Sequence, residues 1–442
     1  MHAKPRGKEL PMGSALRAKT TTGVEGVGGG GSGYSQYLSR NDARLSLLPS
    51  SLPNVPIPAA HATHLSERPL LCLDLHPSQK HIVVGSSDHA LYVLALPTLK
   101  LMRTLYTKRS GHTEWVTCCV ALPSGRALSG GMDSRLLLWD ANAPVCSELR
   151  GHDGSVTSVK VDRGERIAVS SSYDGTVRAW DLNRGRTMAS WGGDFEGNLA
   201  SGDYMAATRN PILEVLWSPS ERSEGNCAPS DRLVASTREG RLLVFDMGAK
   251  SSAPTAVIRA HHGHVRHVLG GSHPSLIISA GNLDGAVKTF DFRIPPDRGR
   301  CVRKIENLHA GGVTNLVACG DQFVSTGGGD GTLKVMDGKS LQVTNTIMAA
   351  CAPAGSPGAS AYAVCPYQNG ILSSWGNGKL VGHNLDHGER TVEFDGAAQG
   401  IKNALRPLVV TGNMGGEVGA VIGAGDDGIA VGWTPAGQAI PG

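Results

Sequence analysis

A chain of 442 residues that is 40% hydrophobic but only 5% aromatic can bury a large core, built from small and branched aliphatic side chains. Its formal net charge of +4 is too small for this length to argue for a nucleic-acid partner or an anionic surface. No apolar run approaches the roughly 20 residues a bilayer-spanning helix needs, and the first residues lack the apolar segment of a secretory signal, so no membrane contact is expected.

The chain opens with Lys4, Arg6, Lys8, Arg17 and Lys19 against Glu9 alone, a balance that equals the formal charge of the whole chain. A Gly-rich stretch follows at 23–33, with four consecutive glycines at 28–31. Such composition buries too little apolar area to offset chain entropy. Residues 1–33 are therefore expected to be a disordered basic arm, either simply solvated or, from residue 4 to 19, laid on an acidic partner. Residues 34–60 read as a linker holding a short apolar strand within 34–52, for example 43–48. Nine cysteines are scattered without a Cys-x-x-Cys pair, which predicts free thiols in a reducing compartment. The cytoplasm is expected, with nucleus and cytoskeleton or cilium as alternatives. Neither a metal nor a cofactor is expected.

From residue 61 onward the chain repeats. One unit reads Gly151-His152, then Val156-Thr157-Ser158-Val159, then Ala168-Val169-Ser170, and closes on Asp174-Gly175 and Trp180-Asp181. The unit before it has Gly111-His112, Val116-Thr117, Ser129, Asp133 and Trp139-Asp140. Weaker copies turn at Asp88, Glu239-Gly240, Asp284-Gly285, Asp330-Gly331, Asn377-Gly378 and Asp427-Gly428. Successive turns lie 45, 41, 65, 45, 46, 47 and 50 residues apart. Apart from the 65, these approach the period of about 40–45 residues expected of a four-stranded propeller blade. Where the turn is Asp-Gly or Asn-Gly, its Gly supplies the positive φ of a tight hairpin. The long interval holds two insertions, at 191–209 and 218–231, and a third Pro/Gly-rich one spans 350–360.

This pattern resembles the WD-repeat β-propeller family over roughly residues 60–434. The resemblance implies an all-β fold, a single propeller over 61–442. Eight turns predict eight blades, with seven, the commoner ring, as the alternative. It also implies that the segment before the first blade supplies the outer strand of the last, closing the ring with an N-terminal strand from within 34–52.

Ser, His and Asp occur together in several repeats, which invites a hydrolase reading. The resemblance implies a structural role instead, in which Asp accepts from His, His bonds Ser or Thr, and the Trp indole joins them. The expected sets are His112, Ser129, Asp133 and Trp139; His152, Ser170, Asp174 and Trp180; His261 with Asp284; and His309 with Thr326 and Asp330. Catalytic triads do not come several to a chain, and no Gly-x-Ser-x-Gly elbow is present. Gly327 to Gly331 is not followed by the Lys-Ser/Thr of a phosphate loop, and His261, His262, His264 and His267 alternate in direction too much to share a metal. No enzymatic activity is expected.

Residues just after each His and just before each turn Asp should project on one face. They include Trp115, Met132, Tyr173, Arg238, His264 and Leu283, several of them types enriched at interface hot spots. Trp115 could equally cap its own blade. The function expected is an interaction scaffold for proteins or peptides within a larger complex. The alternatives are a substrate-recognition subunit of a ubiquitin-ligase-type complex, and a microtubule-associated cytoskeletal or ciliary component using the basic arm. Basic clusters interleaved with aromatics are missing, so nucleic acid is not expected.

Overall fold

Short apolar runs ending in Gly-containing turns can only form hairpins, and such hairpins bury both faces only when stacked on copies of themselves. The computed structural model shows this outcome. It describes residues 45–46, 60–192, 210–218, 232–249, 251–294, 300–348, 360–410 and 420–433, apart from 97, 163, 272, 274, 368 and 369. The arm at 1–33, most of the linker and nearly all of the three insertions lie outside the described residues. The exceptions are Ser218, Ser360, and Trp191 with Gly192, which end the strand Arg186–Gly192, where Trp191 is buried in the core.

Eight sheets follow one another along a compact unit spanning 42–442, seven of them four-stranded and antiparallel and the sixth blade carrying a fifth, parallel strand. Blade three is representative: Val156–Val161, Ile167–Ser172, Thr176–Asp181 and Arg186–Gly192 lie side by side in chain order. The first strands of successive blades contact one another, and Leu70–Leu75 of blade one meets Leu405–Val410 of blade eight. Those strands line the inner wall of a closed ring. No α-helix occurs among the described residues; a three-residue 3-10 turn, Ala397–Gln399, is the only helical element there.

Burial follows from this stacking. The second and third strands are covered on both faces, so Ala127–Gly131 and Leu136–Trp139 are buried at every position. Each hydrophobic cluster is shared by two neighbours. Val83 and Leu91 of blade one pack with Val116 and Trp139 of blade two, and Ile422 and Ala430 of blade eight pack with Ile82 and Leu94 of blade one. The ring has no seam without a core.

Blade eight contributes only three strands of its own, Leu405–Val410, Val421–Gly425 and Ile429–Trp433. Its outer strand is Ala60–His64, antiparallel to the last with Ala60 opposite Trp433 and His64 opposite Ile429. The ring is thus closed by an N-terminal strand, but not by the segment expected. Within 43–48, Leu45–Ser46 pairs instead with the outer strand of blade six, in parallel, with Leu45 opposite Thr346. Both segments contain alternating apolar residues; the short connection of five residues from His64 to Leu70, where blade one begins, favours Ala60–His64 as the closing strand.

Close approach between blades fixes some small residues. A Cβ on Gly130 would stand 2.5 Å from Val156 Cγ1 and 2.8 Å from Cys118 Sγ. Val156 of blade three sits where a side chain would be. Gly130→Val should therefore lower stability by about 1–3 kcal/mol through overpacking. A urea titration would show this as a shifted midpoint with unchanged slope; an unchanged midpoint would mean that blades two and three are not packed this closely.

Candidate functional site

The loops at one end of each blade hold the His and the turn Asp of the repeat. In blade three, Ser172 to Gly175 forms the turn, with the Gly175 N–H donating to the Ser172 carbonyl and Gly175 at φ +78°. The turn aims Asp174 at His152, whose Nδ1 lies 2.8 Å from Asp174 Oδ2. A carboxylate can only accept, so Nδ1 carries the proton. Nε2 then accepts from the Ser170 hydroxyl at 2.7 Å, and Ser170 Oγ accepts the Trp180 indole N–H at 2.8 Å. The Asp153 and Thr176 N–H groups and the Thr176 hydroxyl also donate to Asp174. Burial by itself raises this carboxyl, but His152 and these donors outweigh it and hold Asp174 well below the ordinary carboxylate range.

Blade two repeats the arrangement. His112 Nδ1 stands 3.0 Å from Asp133, His112 Nε2 is 2.8 Å from Ser129 Oγ, and Trp139 donates to Ser129 at 2.8 Å. In blade five His261 reaches Asp284 at 3.0 Å and Ser279 at 2.8 Å, with Phe290 where the Trp would be. In blade six His309 reaches Asp330 at 2.7 Å and Ser325 at 3.0 Å. Asp133, Asp284 and Asp330 are likewise held low against the opposing effect of burial.

Two assignments change. The hydroxyl of blade six is Ser325, not Thr326, and blade five has a hydroxyl, Ser279, that the repeat count passed over. In blades two and three the serine lies four residues before the turn Asp; in blades five and six it lies five before, because the turn is one residue longer. Register is the better guide: Ser170 faces Arg178, Ser279 faces Lys288 and Ser325 faces Lys334, each cation four residues after its turn Asp. A one-residue slip turns a side chain to the opposite face of a strand. Thr326 accordingly bonds Thr314 Oγ1 at 2.8 Å on the other side.

Ser129, Ser170, Ser279 and Ser325 have no solvent-accessible surface. Each hydroxyl is held by an imidazole, and in blades two and three by an indole as well. These four serines cannot meet a substrate, and the networks are braces that tie the loops to the strands. Two of the other blades use substitutes. Asn210 Nδ2 donates to Glu239 at 3.1 Å in blade four, and Asn403 donates to Asp427 at 2.7 Å in blade eight. Of the histidine cluster, His261 belongs to the brace and His267 Nε2 lies 2.8 Å from the Thr314 carbonyl. His262 is exposed and His264 half-buried.

The braced loops carry the exposed side chains. Trp115 is 46% exposed, Tyr173 45% and Leu283 73%, and Met132 and Arg238 are also exposed. Trp115 therefore projects rather than capping blade two. The Met132 N–H donates to the Trp115 carbonyl, and Ser155 Oγ beside Tyr173 donates to the Met132 carbonyl at 3.3 Å, so blades two and three present these side chains together. The Arg238 N–H binds the Pro211 carbonyl and the Asn282 N–H binds the His264 carbonyl, extending the same loop pattern through blades four and five. Leu283 is the extra residue of the longer turn.

The model of the WD domain, G-beta repeat, matches residues 100–140 and 144–181, which run from the outer strand of blade one through blade two to the third strand of blade three. A guanine nucleotide-binding protein subunit beta of Nicotiana tabacum is 30% identical over 239 residues, covering 50% of this chain and 56% of that protein. Its counterpart in Oryza sativa subsp. indica is 27% identical over 237 residues, covering 50% and 55%. The ribosome biogenesis protein YTM1 of Eremothecium gossypii is 24% identical over 209 residues, covering 42% and 46%. The chain spans about half the length of the curated relatives it matches. Among solved structures, Sqt1 of Saccharomyces cerevisiae superposes with a TM-score of 0.67 at 11% identity, over 85% of this chain and 98% of that one. The computationally designed Ika8 protein gives 0.64 at 18%, over 84% and 98%. With the repeat model matched over two successive repeats and an eight-bladed ring closed by its own N-terminal strand, the chain is an eight-bladed β-propeller that carries WD repeats and is similar to WD-repeat proteins.

Proposed function

We propose that the protein is a non-catalytic interaction scaffold whose braced loop face holds partner proteins or peptides within a larger complex. The observation that carries this reading is the group of Trp115, Met132 and Tyr173, three large side chains exposed side by side on loops that buried His-Asp pairs hold rigid. Apolar surface of this kind costs free energy in water and is recovered when a partner covers it. Rigid loops add to this, since little conformational entropy is left to lose on binding. One group of relatives is by name a subunit of a larger protein, which agrees with a role in an assembly. The seven described cysteines are unpaired, which supports a reducing, cytoplasmic setting.

The test is affinity purification of the intact protein from native extract beside a Trp115→Ala/Tyr173→Ala double variant. Both positions are about half exposed, so the variant should melt with wild type. Partners lost from the variant alone would place the working surface on this face; an identical set would remove this face from consideration.

A further inference from the structure

The outer strand of every blade ends its sheet in a row of backbone N–H and C=O groups, a template on which another chain can pair. Ionisable side chains along such a strand discourage that pairing. Arg103, Glu148, Arg186, Arg259, Arg303 and Arg390 stand on the outer strands of blades one to five and seven, and the outer strand of blade eight, Ala60–His64, carries two histidines. Blade six departs from this rule. Its outer strand, Val343–Met348, reads Val-Thr-Asn-Thr-Ile-Met and has no ionisable side chain at all.

The same strand suits pairing in two further ways. Val343, Thr344, Thr346 and Ile347 are β-branched, and neither Gly nor Pro interrupts them. Asn345, Thr346 and Ile347 are buried in succession, whereas no other outer strand has two consecutive buried residues among those described. Ile347 joins the core shared with blade seven, and Asn345 Nδ2 donates to the Leu385 carbonyl of that blade at 3.1 Å. An edge fixed in this way loses little conformational entropy when a further strand is added.

One strand already lies on it. Leu45–Ser46 runs parallel to the edge, with Leu45 opposite Thr346 and Ser46 opposite Ile347. Ring closure does not depend on this strand, because Ala60–His64 completes blade eight. The described pairing covers two of the six edge residues, a ladder too short to be stable by itself. Residues 47–59 tether it to the closing strand and so keep its effective concentration high.

We propose that the outer edge of blade six is a strand-docking site for a partner protein, which adds an extended, largely uncharged segment as a parallel strand in the place that Leu45–Ser46 occupies in cis. Main-chain hydrogen bonds supply the affinity in this mode of recognition. An edge of Val, Thr, Asn and Ile offers a charged segment no counter-ion, which selects against such partners. The site lies on the rim of the ring and uses none of Trp115, Met132 or Tyr173, so it stands or falls independently of the loop face.

The experiment is fluorescence anisotropy with a labelled, end-capped peptide of residues 43–48 and three full-length chains. These are wild type, Leu45→Pro/Ser46→Pro, and the latter with Thr344→Lys/Met348→Lys added. Only alternate N–H groups of a strand face its neighbour, so two successive prolines remove whichever one holds the cis segment. Thr344 and Met348 are exposed, and the two lysines give this edge the charge that other edges carry. All three chains should melt together. The proline variant should bind the peptide saturably and about tenfold or more tighter than wild type, whose own segment competes for the edge. The lysines should weaken that binding by about tenfold or more, and a peptide carrying the same two prolines should not bind. The proposal is overturned by no saturable binding to the proline variant, by equal affinity for wild type, by equal binding of the proline peptide, or by lysines that change the affinity less than about twofold. Self-association of the proline variant in place of peptide binding would also overturn it, giving the edge to a second copy of this chain.

Discussion

Asp174→Ala should destabilise the propeller by about 3–5 kcal/mol, the scale seen when one partner of a buried charged or hydrogen-bonded pair is removed. The substitution strips the His152 Nδ1–H, two backbone N–H groups and the Thr176 hydroxyl of their acceptor at once. His152 is 7% exposed, so water does not readily replace what is lost. The damage should stay near the loop, because Trp180 still donates to Ser170 and the interblade core is untouched. Chemical denaturation would show a lower midpoint, and hydrogen exchange should rise first at Asp153 and Thr176. Trp180→Phe leaves the carboxylate in place and removes only the indole bond, so its cost should be several-fold smaller. An Asp174→Ala protein as stable as wild type would mean that the network is ornament on a fold held by its apolar seams alone.

The contrast between blades three and six shows which parts of this architecture can be read from the chain. Turns are legible because φ > 0 restricts them to a few residue types, and eight such turns at near-constant spacing forecast eight blades. His and Asp of the braces are legible for the same reason, being anchored to those turns. The serines are not, because their position depends on strand register, and one additional turn residue in blades five and six moves the hydroxyl from Thr326 to Ser325. The closing strand was placed within 34–52 and falls instead at 60–64 for a related cause: pairing across the ring, which no local pattern encodes, decides which segment closes it.

The braces are also what make the loop face usable. Exposed Trp and Tyr on mobile loops would collapse onto the nearest apolar surface. Here the loop backbone is pinned from beneath, by Asp133 accepting from the Thr113 N–H two residues before Trp115, and by Asp174 directly after Tyr173. Under the proposed function, stability and binding would be coupled in this ring, because the residues that fix the strands also set the direction of the exposed loop side chains.

That coupling makes acid the most informative stress, because the histidines and the aspartates respond in different windows. His383, in blade seven, stands where blades four, five and six have Phe245, Phe290 and Met336. It has no exposed surface, and neither ring nitrogen has a hydrogen-bond partner among the described residues. Burial, with the Arg390 charge nearby, pushes the imidazole down to about 4. The unfolded chain takes up this proton near pH 6.5 and the folded one only near 4, so the unfolded state binds more protons across that interval. Stability should fall as pH drops from about 6.5 to 4, by about 3 kcal/mol from this residue. His81, pushed down to about 4 by burial and the charges of His76 and Arg103, adds to the same window. Below it the sign is the same but the groups differ: Asp133, Asp174, Asp284 and Asp330 are held below their unfolded range, and the stability they confer is lost as they protonate under about pH 4. His383→Met, copying blade six, removes this residue's share of the upper phase and two unpartnered nitrogens together. It should raise the melting temperature at pH 7 and flatten about half of the loss between pH 6.5 and 4, the His81 share remaining, while leaving the steep loss below pH 4 in place. A variant whose melting temperature still declines with the wild-type slope between pH 6.5 and 4 would mean that His383 is not the buried neutral group responsible.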